Sequence, residues 1–308
     1  MQQPQAILFP GQGAQFPGMG KDFAAAFPLA GDTWAEADRV LGFSLSDACW
    51  NQGEEVHRTD IAQPGIYTTS VSVIRVLESR GLERSRLQFT AGLSLGEYTA
   101  LWCAGAISFE DGLRLVRLRG EAMQRASDQI KSSMTSLMGA SEEQARALAV
   151  HAAQAGICQV ANLNAPGQVI LSGELVALDL AEASAKDFGI RRTRRLVVAG
   201  GFHSECMRPA AEALARALCE VPIHPPRVPF VSNVTAAFSS DPAAIRQQLA
   251  AQVCASVLWE RSMRLALEKG IRSFLEPAPG EVLGGLLRKL DEGVGILSVA
   301  RPEQVPAA

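Results

Sequence analysis

The sequence predicts an α/β fold: a parallel-sheet core of the α/β class with a smaller subdomain inserted in it. Three observations carry that reading. Short apolar runs alternate with helical patterns along the chain, as strands covered by helices require. A G-x-S-x-G stretch, Gly92-Leu93-Ser94-Leu95-Gly96, joins an apolar run to a helical one. The segment 129–198 then changes rhythm to strand, helix, strand, strand, helix, strand, which is the ferredoxin-like order.

Ala6–Phe9 opens the core as an apolar strand, followed by a Gly/Pro-rich turn through Gly20. Ile66–Arg80 has helical spacing, with Ile66, Val73, Ile74 and Leu77 on one face and Gly81 as a stop. Gln88–Ala91 reads as a buried strand and Leu95–Ala104 as a helix. Ser108 caps another helix, whose first turn holds Glu110 and Asp111, where carboxylates suit the helix dipole. In the inserted segment, Met134–Met138 reads as a strand and Ser141–Ala155 as a capped helix. Ile157–Leu163 and Gln168–Ser172 are strands joined by the turn Asn164-Ala165-Pro166-Gly167. Glu174–Phe188 is a helix and Arg191–Val198 a strand. The division is therefore 1–128 with 199–308 as the catalytic body, and 129–198 as the small subdomain.

The chain has 308 residues, 47% hydrophobic and 20% charged, enough for a substantial core. Its 29 basic and 32 acidic residues give a net charge of −3, which argues against nucleic acid as a partner. No apolar run is long enough to span a membrane. The N-terminus lacks a basic, then apolar, leader, so a cytoplasmic protein is expected. Six cysteines are scattered without a C-x-x-C pair, which predicts buried free thiols and no metal site.

Strand, turn and helix around Ser94 are the setting a nucleophile elbow needs. Such a serine would sit at a helix N-terminus, where backbone N–H groups favour an oxyanion. A serine needs a base, and four histidines are available. His57 lies in a polar stretch that reads as surface, His151 in an amphipathic helix, and His224 among prolines. His203 follows Gly200-Gly201-Phe202 at the end of a strand, where α/β folds place chemistry.

Phe9-Pro10-Gly11-Gln12-Gly13-Ala14-Gln15, Gly92-Leu93-Ser94-Leu95-Gly96-Glu97-Tyr98 and Gly201-Phe202-His203-Ser204 resemble the malonyl-CoA:acyl carrier protein transacylases, including the acyltransferases of polyketide synthases. The resemblance continues through Ala161-Asn162-Leu163-Asn164, Val231-Ser232-Asn233-Val234 and Glu276-Pro277-Ala278-Pro279-Gly280. It implies an α/β-hydrolase-like core with a ferredoxin-like insert, and a ping-pong transfer through Ser94 and His203. It implies malonyl-CoA and an acyl carrier protein as partners, a coenzyme A thioester as substrate, and no cofactor. It places the oxyanion-hole N–H groups at Gln12 and Leu95, and matches the histidine-orienting position to Gln252.

Malonyl carries a carboxylate, for which arginine's planar fork is a natural partner. The family's carboxylate-binding arginine aligns with Arg119, with Arg117 as the competitor. Phe202 resembles the residue of malonyl-selecting enzymes, where its bulk crowds an α-methyl group, and reads equally as a core phenylalanine. Leu93 departs from the family's usual histidine. Arg191-Arg192-Thr193-Arg194-Arg195 is either a solvated face or a docking strip for an acidic carrier. The competing functions are an acyl-thioester hydrolase, a transferase for another dicarboxylic acyl group, and a non-catalytic carrier-docking module.

Overall fold

The computed structural model describes residues 3–307. The chain opens with β1 (Ala6–Phe9), then three helices, α1 (Lys21–Ala26), α2 (Pro28–Leu41) and α3 (Leu45–Trp50), which the sequence reading did not resolve. The long helix α4 (Thr59–Ser79) begins seven residues before the expected Ile66. Pro64 lies inside it, near enough to the start that little of the hydrogen-bond ladder is lost. Nearly all of α4 is buried, not one face only. Its polar positions manage this by bonding to backbone: Thr69 donates to the Gly65 carbonyl (2.7 Å) and Ser70 to the Ala278 carbonyl (2.7 Å).

Next come β2 (Phe89–Gly92), α5 (Gly96–Cys103) and α6 (Phe109–Gln129). Ser108 caps α6 as expected, accepting from the Asp111 N–H. Then follow β3 (Ser132–Ala140), α7 (Glu142–Ala152), β4 (Cys158–Ala165), β5 (Gly167–Glu174), α8 (Leu175–Ser184) and β6 (Arg192–Arg195). A reciprocal Ser141–Gln144 capping box starts α7. Strands β4 and β5 pair almost to the turn, so the expected four-residue connection shrinks to Pro166. Strand β6 is half the expected length, and 196–203 runs on as a loop into the core. The chain closes with α9 (Arg208–Glu220), α10 (Pro242–Gln252), α11 (Trp259–Glu268), β7 (Ser273–Pro277), α12 (Val282–Arg288) and β8 (Gly295–Val299).

Two separate sheets result. The first is parallel, in the order β2-β1-β7-β8, with Ala6 opposite Phe89 and Phe9 opposite Gly92. The segment around Phe230 lies parallel beside β2 and bridges to Thr90, which continues that edge. The second sheet is antiparallel, in the order β4-β5-β3-β6. It has a core of its own, in which Leu137, Val160 and Leu171 pack against Leu148 of α7 and Leu178 of α8. The strands β1 and β2 are buried along their whole length, as parallel strands covered on both faces must be. Their C-terminal ends therefore project the following loops to one edge, and the site is built there.

The expectation that the thiols are buried needs one correction. Cys49, Cys103, Cys158 and Cys206 are buried and Cys254 partly so, but Cys219 is exposed, on the outer side of α9. All six are free thiols. Among the described residues no helix is long and apolar enough to cross a membrane.

Candidate active site

Strand β2 ends at Gly92, and the chain turns into α5 at Gly96. A Cβ on Gly92 would lie 1.9 Å from the Gly96 carbonyl carbon, and one on Gly96 only 2.2 Å from the Phe9 carbonyl oxygen. Only glycines allow strand and helix to approach so closely. Ser94, at the tip, has φ of 51°. A left-handed serine is uncommon and costs free energy that its surroundings must offset. His203 is also left-handed, with φ of 60°, in the loop that returns from β6. Its loop is tied down by serines: Ser132 accepts from the Gly201 N–H (2.8 Å), and Ser204 donates to the Gly201 carbonyl (2.6 Å).

The two side chains meet. Ser94 Oγ lies 2.8 Å from His203 Nε2. On the other side of the ring, His203 Nδ1 donates to the backbone carbonyl of Gln252 (2.8 Å). A carbonyl can only accept, so the Nδ1 proton is fixed and Nε2 is left as the acceptor for the serine proton. His203 is 4% exposed. Burial, and next the neighbouring Arg119 charge, lower its pKa from 6.5 to about 4, so the ring is neutral at ordinary pH.

Arg119 reaches the same point from α6. Its Nη2 donates to Ser94 Oγ (3.0 Å) and to Gln252 Oε1 (3.0 Å), while Nη1 donates to Gln63 Oε1 (2.8 Å). It is 1% exposed. All three partners are neutral, and no carboxylate among the described residues forms an ion pair with it. A buried cation without a counter-ion is costly, and such a cation is suited to an anionic ligand. Arg117, two positions earlier, faces away: it pairs with Glu121 (2.6 Å) and Asp60 (3.4 Å) and stacks over Phe43. Of the two arginines, α6 turns Arg119 towards Ser94 and Arg117 away from it.

Gln252 is central to the arrangement. Its carbonyl holds the histidine, its Oε1 accepts from the arginine, and its Nε2 donates to the Ser94 carbonyl (2.9 Å) and to Glu97. Glu97 is fully buried, and desolvation raises its pKa to about 7 against the hydrogen bonds it accepts. Gln63, Glu97 and Asn233 were given no role from sequence. Glu97 and Asn233 stand inside the stretches Gly92–Tyr98 and Val231–Val234, which is the available signal; Gln63, in the first third of α4, ahead of Ile66, carries none.

A cleft of about 1290 Å³ opens onto Ser94, Arg119 and His203. Gln12, Leu93 and Phe202 line its core side, and Met134, Asn162 and Arg194 its antiparallel-sheet side. Leu95 is buried just behind. Among the described residues, no protein acceptor takes the backbone N–H of Gln12 or of Leu95. His57 stands at the cleft's mouth, its side chain 43% exposed beside Glu54, so it is both a surface residue and part of the lining. In the basic stretch, Arg195 is engaged by Glu182 and Asp179, while Arg191, Arg192 and Arg194 are exposed.

The acyl transferase domain model matches residues 7–287, most of the chain. The chain belongs to the acyl transferase domain family. Within it, the chain is 39% identical over 305 residues to the malonyl CoA-acyl carrier protein transacylase of Bacillus subtilis, covering 98% of this chain and 95% of the relative. It is 36% identical to the enzyme of that name from Escherichia coli K12, covering 98% of each. The crystal structure of an acyl-carrier-protein S-malonyltransferase from Bartonella henselae superposes with a TM-score of 0.93 at 37% identity, over 99% of this chain and 97% of that one. A malonyl-transacylase solved in complex with a type II polyketide synthase acyl carrier protein gives 0.93 at 36% identity, over 97% of each chain. For an acyl transferase domain, a serine bonded to a neutral imidazole at the end of a parallel sheet is an arrangement able to form and release an ester.

Proposed function

We propose that the chain moves a malonyl group from coenzyme A to the phosphopantetheine thiol of an acyl carrier protein, through an ester on Ser94. One observation carries the choice of acyl group: the buried Arg119 guanidinium, bonded to Ser94 Oγ and without an acidic partner. A malonyl carboxylate bound there sets its thioester carbonyl beside the serine.

Ser94 Oγ attacks that carbonyl as its proton passes to His203 Nε2. The Gln12 and Leu95 N–H groups receive the oxyanion. The C–S bond breaks, and the imidazolium returns the proton to the leaving thiolate. The carrier's thiol then gives its proton to His203 and attacks the ester, and collapse transfers malonyl and restores Ser94. Gln252 orients the base through its carbonyl, and Phe202 narrows the acyl site. The coenzyme A thioester is substrate, and the cycle needs no cofactor. Hydrolysis of neutral acyl thioesters is the poorer reading, since it gives Arg119 nothing to bind.

We further read the parallel-sheet unit, 1–128 with 199–308, as an α/β-hydrolase-like catalytic body, and 129–198 as a ferredoxin-like insert. The order β4-β5-β3-β6 along a strand-helix-strand-strand-helix-strand chain supports the second assignment. The separate core of that unit supports the division.

The test is intact-protein mass spectrometry after mixing with malonyl-CoA, acetyl-CoA and other acyl donors. A malonyl adduct that forms on the native chain, is absent in Ser94→Ala, and passes to an added acyl carrier protein is the expected result. Adducts that form equally from acetyl-CoA and malonyl-CoA would overturn the assignment of the acyl group.

A further inference from the structure

We propose that Asn233 is a positioning residue that holds the strained serine elbow from both sides, its Oδ1 accepting from the Ser94 N–H (2.7 Å) and its Nδ2 donating to the Gly92 carbonyl (2.8 Å). This rests on the reading of Ser94 as nucleophile. Asn233 is 139 positions away in sequence and fully buried. The segment carrying it runs beside β2, where Thr90 donates to the Pro229 carbonyl (2.8 Å) and Val231 to the Thr90 carbonyl (3.2 Å). Its own backbone is pinned at both ends: its N–H donates to Glu97 Oε1 (2.9 Å), and its carbonyl accepts from the Leu258 N–H (2.9 Å).

The elbow needs such a clamp. With φ of 51°, Ser94 sits where an L-residue is disfavoured, and a turn free to relax would swing Oγ away from His203. The Ser94 N–H precedes the helix and the Gly92 carbonyl ends the strand, so neither is satisfied within its own element. One side-chain amide supplies the acceptor and the donor together, at fixed spacing. Aspartate of the same size offers only acceptors when ionised, and leucine offers neither. Gln252, which donates to the Ser94 carbonyl, holds the third polar group of the turn. The elbow geometry is thus imposed from outside the motif that carries the serine.

The experiment reads the nucleophile without using malonyl recognition. Native chain, Asn233→Leu and Asn233→Asp are treated with a fluorophosphonate, and the rate of adduct formation at Ser94 is followed by intact mass. Steady-state kcat and KM for malonyl-CoA are measured alongside, with circular dichroism to confirm the fold. N233L is expected to label about 100-fold more slowly, the scale of a reacting atom displaced by about 1 Å. Its KM is expected to stay within about threefold, because Arg119 keeps its bonds to Gln63 and Gln252. N233D retains the acceptor for the Ser94 N–H and loses one donor, so it is expected to label about tenfold more slowly. It is the isosteric variant and decides the matter where N233L does not fold. Labelling of N233D within about twofold of the native rate, or of folded N233L within about threefold, overturns the clamp. Failure of the native chain to label at Ser94 would instead overturn the catalytic reading on which this inference rests.

Discussion

An imidazole serves as base only while it is neutral, and His203 is kept neutral by two causes acting together. Burial disfavours the imidazolium first, and the Arg119 charge beside it adds repulsion, bringing the pKa to about 4. The acid limb of Ser94 acylation should therefore lie near pH 4 and not near 6.5, the value of a free histidine. Removing the charge while keeping the fold, as in Arg119→Gln, should move that limb upward. Fluorophosphonate labelling between pH 3.5 and 8 checks both, and a native limb at 6.5 would refute the account. Arg119 itself should set acyl choice. A charge-assisted hydrogen bond contributes about 1.5–3 kcal/mol, so Arg119→Ala should lower kcat/KM for malonyl-CoA by about 10- to 100-fold and leave acetyl-CoA far less affected. Much of this site was legible in the residues. Ser94 is marked by its glycines; His203 stands out among four histidines, although the strand expected just before it ends at Arg195, in the antiparallel sheet. Gln252 is matched only through likeness to a family, and the atom that meets His203 Nδ1 is its backbone carbonyl, as that likeness implies, a contact to which side-chain identity is blind. Asn233 and Gln63 act on Ser94 and Arg119 from distant parts of the chain, and no local period or spacing encodes such contacts.

At the scale of elements, the serine is presented by the close approach of β2, α5 and the end of β1. Gly96 is the tightest point, since a Cβ there would meet the Phe9 carbonyl oxygen at 2.2 Å and the Pro10 carbonyl oxygen at 2.8 Å. Both are backbone atoms that no rotamer change can move. Gly96→Ala should therefore separate helix from strand, with loss of Ser94 labelling and a thermal midpoint lowered by several degrees, or no soluble protein. Gly285 in α12 is the control. It is exposed, and a Cβ there meets nothing within 4 Å, so Gly285→Ala should stabilise by about 0.5–1 kcal/mol through helix propensity. Differential scanning calorimetry of the two variants measures the contrast. The apolar strands β1 and β2 and the capped helices α6 and α7 were readable because each carries its own boundary signal. Helix α4 starts seven residues before Ile66, and β6 is shorter than expected because pairing ends where the Leu196 N–H donates to the Met134 carbonyl (2.9 Å), after which Val197 and Val198 line the cleft.

Across the whole molecule, two sheets meet at a cleft, and the titratable groups gathered around Ser94 are buried beside it. Glu97 shows the cost. Its pKa rises from 4.5 to about 7 on folding, chiefly by desolvation, so the folded chain holds a proton that the unfolded chain releases. The sign follows from linkage: the contribution is fully present below pH 4.5 and is lost as pH rises towards 7, beyond which the penalty is constant. His203 works in the opposite direction, because its depressed pKa makes stability fall as pH drops from 6.5 to about 4. Between pH 4.5 and 6.5 the two largely offset each other, so the native chain alone would show little slope. Glu97→Gln separates them. Glutamine cannot match every contact of the Glu97 carboxyl group with Asn233 and Gln252, so E97Q carries a fixed deficit relative to the protonated native chain. What changes with pH is the ionisation penalty, which only the native chain carries. The stability of E97Q relative to native should therefore rise between pH 4.5 and 7 by an amount on the order of 3 kcal/mol, then level off. Urea midpoints at pH 5, 6, 7 and 8 measure it, and a difference that stays flat across that range would mean that Glu97 is ionised in the folded chain throughout.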